Sequence, residues 1–277
     1  MKRKRVSKMR DHTDSLHRNA ARIVSTLLLA LALAASGCAS PRGGVVYQNA
    51  TIDALLDGNY DGDVTMAQLL RHGDFGLGTF DHLDGEMLVL RGRVFQVRSD
   101  GRAYIVLGHE RTPFAAVTFF HPDEMLAIGA DSGSAIDYAA LQKKLDFMRP
   151  ADGHAYAFLI HGRFATMRTR SVPRQEPPYR RLIDVVKQQP VFELKECNGT
   201  LVGFWFPESM RHLNVPGYHF HFLTDDQSAG GHVLDLSVRD AEVRMQSLST
   251  IRMDLSRRAP KIPSPATRSS ELEQVEK

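Results

Sequence analysis

Residues 217–223 read Gly-Tyr-His-Phe-His-Phe-Leu, and Gly230-Gly231-His232 follows close behind. The alternation of polar and aromatic residues marks a strand, because successive side chains on a strand point to opposite faces. His219 and His221 then share one face, and Phe220 and Phe222 turn to the other, where a core can take them. Ten residues lie between His221 and His232, enough for a turn at Asp225-Asp226-Gln227-Ser228 and a returning strand. The paired glycines before His232 let the backbone pass close to whatever the histidines hold. Three neutral imidazoles brought together in this way suit Zn²⁺ with a fourth position left open, as in catalytic rather than structural zinc sites. Spacing alone does not choose the ion, since imidazole also suits copper, nickel and iron. A His-x-His on a strand also occurs as two plain surface histidines.

Outward from this hairpin the chain is strand-rich. Leu201–Phe206, His232–Val238 and Val243–Leu255 read as strands in the second half. In the first half the runs are Glu86–Val97, then a turn at Ser99-Asp100-Gly101, Ala103–Leu107 and Phe114–Phe120. An apolar run, Ala155–Phe164, leads into a segment holding Arg163, Arg168 and Arg170. Helices are few: Thr65–Arg71, with Asp63 or Thr65 as its N-cap, and Ile136–Met148, which stops before Pro150. Gly73 to Gly85 carries four glycines and reads as an ordered loop. Strands mixed with few helices argue for an α/β protein of the α+β kind. Residues 173–190 hold four prolines and read as a connection between layers or domains.

Composition narrows the function classes. With 277 residues, 43% hydrophobic and 24% charged, the chain is globular and not a polytopic membrane protein. The formal charge of +3 misleads, because residues 1–22 hold eight Lys/Arg and two Asp. The rest carries 27 basic against 30 acidic residues, so nothing recommends nucleic acid as a partner. The basic stretch precedes an uncharged run of 13 residues, Ile23–Ala35. That is too short for a span, which takes about 20 residues, and suits a secretory signal. The run ends Ala35-Ser36-Gly37-Cys38, which resembles the lipobox of bacterial lipoproteins, and Ser40 resembles the residues that direct such proteins to an outer membrane. Residues 1–37 are therefore expected to be a lipoprotein-type signal peptide, with Cys38 lipidated. The product is an envelope protein that meets the membrane only through its anchor. Cys197 is then alone, a partly buried filler.

Three blocks in order carry a family resemblance. Val215-Pro-Gly-Tyr-His-Phe-His-Phe with Gly-Gly-His-Val-Leu-Asp is the first. Gly76-Leu-Gly-Thr-Phe with Leu83-Asp-Gly-Glu86 is the second, and Arg170-Ser-Val-Pro-Arg-Gln with Pro178-Tyr179 the third. Together, over about Tyr47 to Leu236, the chain resembles the α-acetolactate decarboxylases. The resemblance implies zinc bound by His219, His221 and His232, Glu86 facing the metal, Thr79 touching substrate and Arg170 in the same pocket. It also implies a glutamate from the C-terminal tail over the site: Glu276, with Glu273 and Glu271 as rivals.

The implied fold has two domains, each on a mixed sheet with few helices, and a homodimer joined through the first domain's sheet. The boundaries follow as spacer 38–46, first domain 47–180, metal-binding domain 181–255 and a tail, 256–277, that folds towards the site. The implied activity is that of a carboxy-lyase converting 2-acetolactate to acetoin and CO₂. Loss of CO₂ leaves electrons that must move into the ketone oxygen, and a Lewis acid stabilises that charge without an organic cofactor. Two rival readings stand beside it. One is an envelope metal-binding lipoprotein without catalysis; the other is a different metal-dependent hydrolase or lyase on the same scaffold.

The leader generates its own test. Intact mass of membrane-extracted protein is expected to show Cys38 as a lipid-bearing N-terminus. Cys38→Ser is expected to release the protein or leave its leader uncleaved, and an unmodified cysteine would sink the expectation.

Overall fold

The computed structural model describes residues 44–129, 134–256 and 265–276. The leader, Cys38 and most of the spacer lie outside the described residues. The elements run β1 (Gly44–Asn49), α1 (Ile52–Leu56), β2 (Val64–Thr65), α2 (Met66–Leu69), β3 (Phe75–Thr79), β4 (Glu86–Leu90), β5 (Arg93–Val97) and β6 (Ala103–Val106). They continue with β7 (Arg111–Thr112), β8 (Ala115–Thr118), β9 (Glu124–Ile128), β10 (Ile136–Asp137), α3 (Tyr138–Met148) and β11 (Ala155–Arg170). The last are α4 (Leu182–Val186), β12 (Val191–Phe206), β13 (Gly217–Thr224), β14 (Gly230–Asp254) and α5 (Pro265–Glu276).

A mixed sheet dominates, ordered β11-β12-β13-β14-β1-β8-β3-β4-β5-β6, with β9 and β10 also on β14. Its parallel pair is β1 with β14. β11 pairs β14 as well as β12, so β11 to β14 form a closed ring of pairings. The expected domain boundary at residue 180 falls between β11 and β12, and those strands pair from Tyr156–Trp205 to Arg170–Val191. The sheet thus runs on across it, and the described residues pack as one compact unit.

The alternation in β13 does what its pattern dictates. Phe220 and Phe222 enter a core with Phe158 and Phe164, and Phe164 meets Phe222 edge-on at 5.3 Å. A buried phenylalanine contributes roughly 1.5–3 kcal/mol, which fixes the register, because a one-residue slip would take both rings out of this core and put the histidines into it. The short helix α2 starts at Thr65, whose side chain and Gln68 cap each other reciprocally. The helix expected from Ile136 starts at Tyr138 instead, with the Asp137 side chain accepting from Ala140 N–H.

Three expectations need correction. The glycine-rich stretch from Gly73 is not a loop throughout: β3 is an interior strand between β4 and β8. Its glycines allow close strand approach, since a Cβ at Gly76 would lie 2.1 Å from Ala116 O and one at Gly78 2.4 Å from Phe114 O. Second, Glu86–Val97 is two strands. Arg91 (φ 52°) and Gly92 (φ 73°) both have positive φ, as a two-residue primed turn demands; arginine is an unusual residue there and hides the signal. Third, His232–Val238 and Val243–Asp254 belong to the single long strand β14, whose pairing with β11 continues through Asp240, Ala241 and Glu242.

Because β3 approaches β8 so closely, Gly78→Ala is expected to destabilise the fold by about 1–3 kcal/mol, the usual cost of overpacking. Gly129→Ala, whose Cβ would meet nothing within 4 Å, is expected to stay within about 0.5 kcal/mol. Urea unfolding of the two variants makes the comparison.

Candidate active site

Two sets of register neighbours build the site. Thr79 and Glu86 are cross-strand partners at the end of the β3–β4 pair. Arg170, His232 and His221 stand side by side on β11, β14 and β13. Gly231 (φ 134°) precedes His232, and a Cβ there would lie 2.5 Å from Arg170 O, so only glycine lets β14 run this close to β11. Arg163 and Arg168 are exposed, and Arg170, beyond a register irregularity between Arg168 and Thr169, is buried.

The three histidines are buried and their ring nitrogens converge. His219 Nε2 lies 3.3 Å from His221 Nε2 and 3.1 Å from His232 Nδ1. Donors at about 2.0–2.1 Å from a tetrahedral zinc ion would be about 3.3 Å apart, so the spacing fits such an ion. His221 Nδ1 is 2.7 Å from the Met87 carbonyl oxygen, which can only accept. Nδ1 therefore carries the proton and Nε2 keeps its lone pair for the cluster. Burial also favours the neutral, ligating form: it pulls His219 down to about 3, with Arg170 adding to the effect, and His221 and His232 well below the ordinary range. The residues present thus fit a divalent ion held by three nitrogens.

Two carboxylates and one guanidinium face this cluster. Arg170 Nη1 donates to Glu86 Oε1 at 2.6 Å, and Glu86 Oε2 lies 3.4 Å from His221 Nε2. Burial raises the Glu86 carboxyl and the Arg170 charge opposes that shift. Glu276 Oε2 lies 3.7 Å from His232 Nε2 and 3.9 Å from His219 Nε2. Burial lifts its carboxyl to about 7, against the pull of Arg170. Thr79 is buried with its hydroxyl donating to Gly85 O at 2.7 Å. One small cavity is lined by Thr79, Glu86, Arg170, Glu276 and all three histidines.

The tail reaches the site through α5. Leu272 and Val275 are buried against Ile52, Leu55 and Leu182. Arg181 holds Glu271 bidentately at 2.8 and 2.6 Å, and Arg170 Nη2 donates to Val275 O at 3.2 Å. Of the three tail candidates, Glu276 therefore lies at the histidines, Glu271 is taken by Arg181, and Glu273 is exposed. The anchor was absent from the sequence reading, although apolar residues at 272 and 275 are spaced as one helix face. Also missed was the apolar wall of the cavity, made by Ile52, Leu55, Leu83, Phe114, Val172 and Leu182. Nothing in their local sequence separates them from ordinary core residues.

A buried three-imidazole cluster faced by carboxylates, on a mixed sheet, is an arrangement that could hold a metal ion. Comparison with known proteins makes this specific. The profile of the alpha-acetolactate decarboxylase family matches residues 46–260. The alpha-acetolactate decarboxylase of Methanosarcina mazei is 47% identical over 211 residues, 76% of this chain and 72% of that one. That of Klebsiella aerogenes is 41% identical over 228 residues, covering 80% and 86%. The crystal structure of the enzyme from Bacillus subtilis strain 168 superposes with a TM-score of 0.80 at 35% identity, covering 84% of this chain and 99% of that one. The chain belongs to the alpha-acetolactate decarboxylase family and is an enzyme of the carboxy-lyase type.

His221→Ala removes one converging nitrogen. The purified protein is expected to carry about one divalent ion per chain, and this variant to lose it while staying folded. Elemental analysis beside a thermal melt reads both; full metal occupancy in the variant would remove His221 from the ligand set.

Proposed function

We propose that this protein converts 2-acetolactate to acetoin and CO₂ with zinc as its ion. The observation that carries the reading is the meeting of His219, His221 and His232 with Glu86, Glu276 and Arg170 around one buried cavity. The matched relatives bear the same activity in their names. A zinc ion at the three nitrogens would supply Lewis-acid stabilisation of the charge that develops on the substrate's ketone oxygen.

The protein's own groups supply the rest. Arg170 lines the cavity, and its Nε is buried with no partner among the described residues, which leaves a donor for the substrate carboxylate. The Thr79 hydroxyl has committed its proton to Gly85, so towards the substrate and its hydroxyl it offers lone pairs only. Glu86 and Glu276 are the carboxylates at the cluster, where they orient that hydroxyl and relay the proton that completes acetoin. The apolar wall keeps water away from the reacting carbons and packs against the two methyl groups.

Simple metal storage would need neither the Arg170–Glu86 pair nor the seated tail, which weighs against a metal-binding lipoprotein without catalysis. The same reading includes the homodimer that the resemblance implies and an envelope address conferred by Cys38.

Glu86→Gln is expected to keep the ion and lose about 10²–10⁴-fold in turnover, the usual contribution of an acid–base group. Arg170→Lys keeps the charge but loses the planar fork that serves Glu86 and Val275 together, and is expected to be impaired as well. Acetoin formation, measured beside metal content and a thermal melt, decides. Wild-type turnover in folded, metal-loaded Glu86→Gln would remove Glu86 from the mechanism, and no acetoin from the wild type would overturn the assignment.

A further inference from the structure

The Phe80–Gly85 loop, whose flanking residues Thr79 and Glu86 both belong to the site, has backbone that side-chain-bearing residues avoid. His82 (φ 60°) and Leu83 (φ 56°) both lie in the left-handed region, where such residues are strained unless their surroundings hold them. We propose that His82 and Tyr179 are positioning residues, which clamp this loop from outside and so keep Thr79 and Glu86 at the histidine cluster. The inference rests on the decarboxylase reading and deepens it. It also gives a role to Tyr179, which no step of the mechanism uses.

The clamp is a chain of contacts. Tyr179 Oη donates to Asp61 Oδ1 at 2.6 Å and meets His82 Nδ1 at 2.5 Å. With the phenol O–H directed at Asp61, His82 Nδ1–H is the donor to the phenol oxygen. His82 Nε2 lies 3.4 Å from Asp81 Oδ2, and Asp81 Oδ1 accepts from the Gly62 amide at 2.5 Å. The backbone of His82 is gripped in both directions: its N–H donates to Tyr60 O at 2.7 Å, and its carbonyl accepts from Gln175 N–H at 2.8 Å. Tyr60 packs edge-on against the Tyr179 ring at 5.2 Å.

On its inner side the same loop presents Leu83 to the cavity wall and the Gly85 carbonyl to the Thr79 hydroxyl. Neither His82 nor Tyr179 lines the cavity. Their effect therefore passes through the loop to Glu86, whose oxygens must fall between Arg170 and His221. A displacement of about 1 Å of a reacting group costs on the order of 10²-fold in rate, and removal of an outer partner of a metal-site residue on the order of 10–100-fold.

The test compares wild type, Tyr179→Phe, His82→Gly and His82→Asn as metal-loaded full chains. Acetoin kinetics, metal content, melting temperature and amide hydrogen exchange over residues 80–86 are measured for each. Tyr179→Phe and His82→Gly are expected to lose about tenfold in kcat with KM within about twofold. Their metal content should be unchanged and their loop amides should exchange faster. Asparagine tolerates the left-handed backbone, and its Nδ2 can replace Nδ1 as the donor, so His82→Asn is expected to recover most of the lost rate and protection.

Glycine suits φ 60° better than histidine does. Wild-type kcat and wild-type exchange in His82→Gly would therefore overturn the clamp, as would an equal loss in His82→Asn. A second ion per chain that disappears in His82→Gly would also overturn it, in favour of an ion held by Asp61, Asp81 and His82. If the wild type makes no acetoin, the decarboxylase reading fails by itself, and the exchange comparison still decides the clamp.

Discussion

The Arg170 guanidinium is the contact on which the site depends. Nη1 holds Glu86 from β4, Nη2 holds the Val275 carbonyl of the tail, and the backbone at Arg170 is the register neighbour of His232. One planar fork thus joins three segments remote in sequence. Both side chains of the Arg170–Glu86 pair are almost fully buried. Such a pair is weak evidence for stability as a whole, since desolvation offsets much of the attraction, but loss of either partner strands a buried charge at a cost of about 3–5 kcal/mol. That asymmetry makes the pair a device for specifying geometry. The carboxylate has one low-energy place, and it is beside the histidines.

The tail illustrates a different balance. Its docking combines apolar burial of Leu272 and Val275 with the Arg181–Glu271 fork at the edge. The apolar contacts supply attraction without direction, and the fork sets how α5 is rotated and how far it slides. Together they carry Glu276 to the cluster, although the contacts of its carboxylate there, at 3.7–3.9 Å, are too long to hold that group. Glu276 is thus placed by the preceding residues of α5, Glu271, Leu272 and Val275.

Much was legible because the signals are local. Period-two alternation put His219 and His221 on one face and the two phenylalanines in the core, and the gap to His232 announced the hairpin. A cap marked α2 and a proline stop marked the end of α3, whereas α1, α4 and α5 were not read from the sequence. The glycines of β3 show where local reading fails: in sequence they look like a loop, and only the strands on either side explain why a Cβ cannot be present. Likewise composition does not tell Arg163, Arg168 and Arg170 apart: only the Arg170-Ser-Val-Pro block marks the last in sequence, and the fold buries it while leaving the other two exposed.

The sequence by itself determined the strand-rich class, the histidine face and, through the three motif blocks, the family. Each of these rests on residues close together in the chain, or on a pattern that survives without coordinates. The tertiary structure decided which glutamate of the tail meets the histidines, which arginine is buried, that Arg181 and not the site takes Glu271, and that His82 and Tyr179 grip the loop before Glu86. Those outcomes depend on charge and volume supplied by segments far apart in the chain, such as Arg170 and Val275, 105 residues apart. The cost of burying a charge is settled only when its partner arrives, and that happens in the folded chain alone.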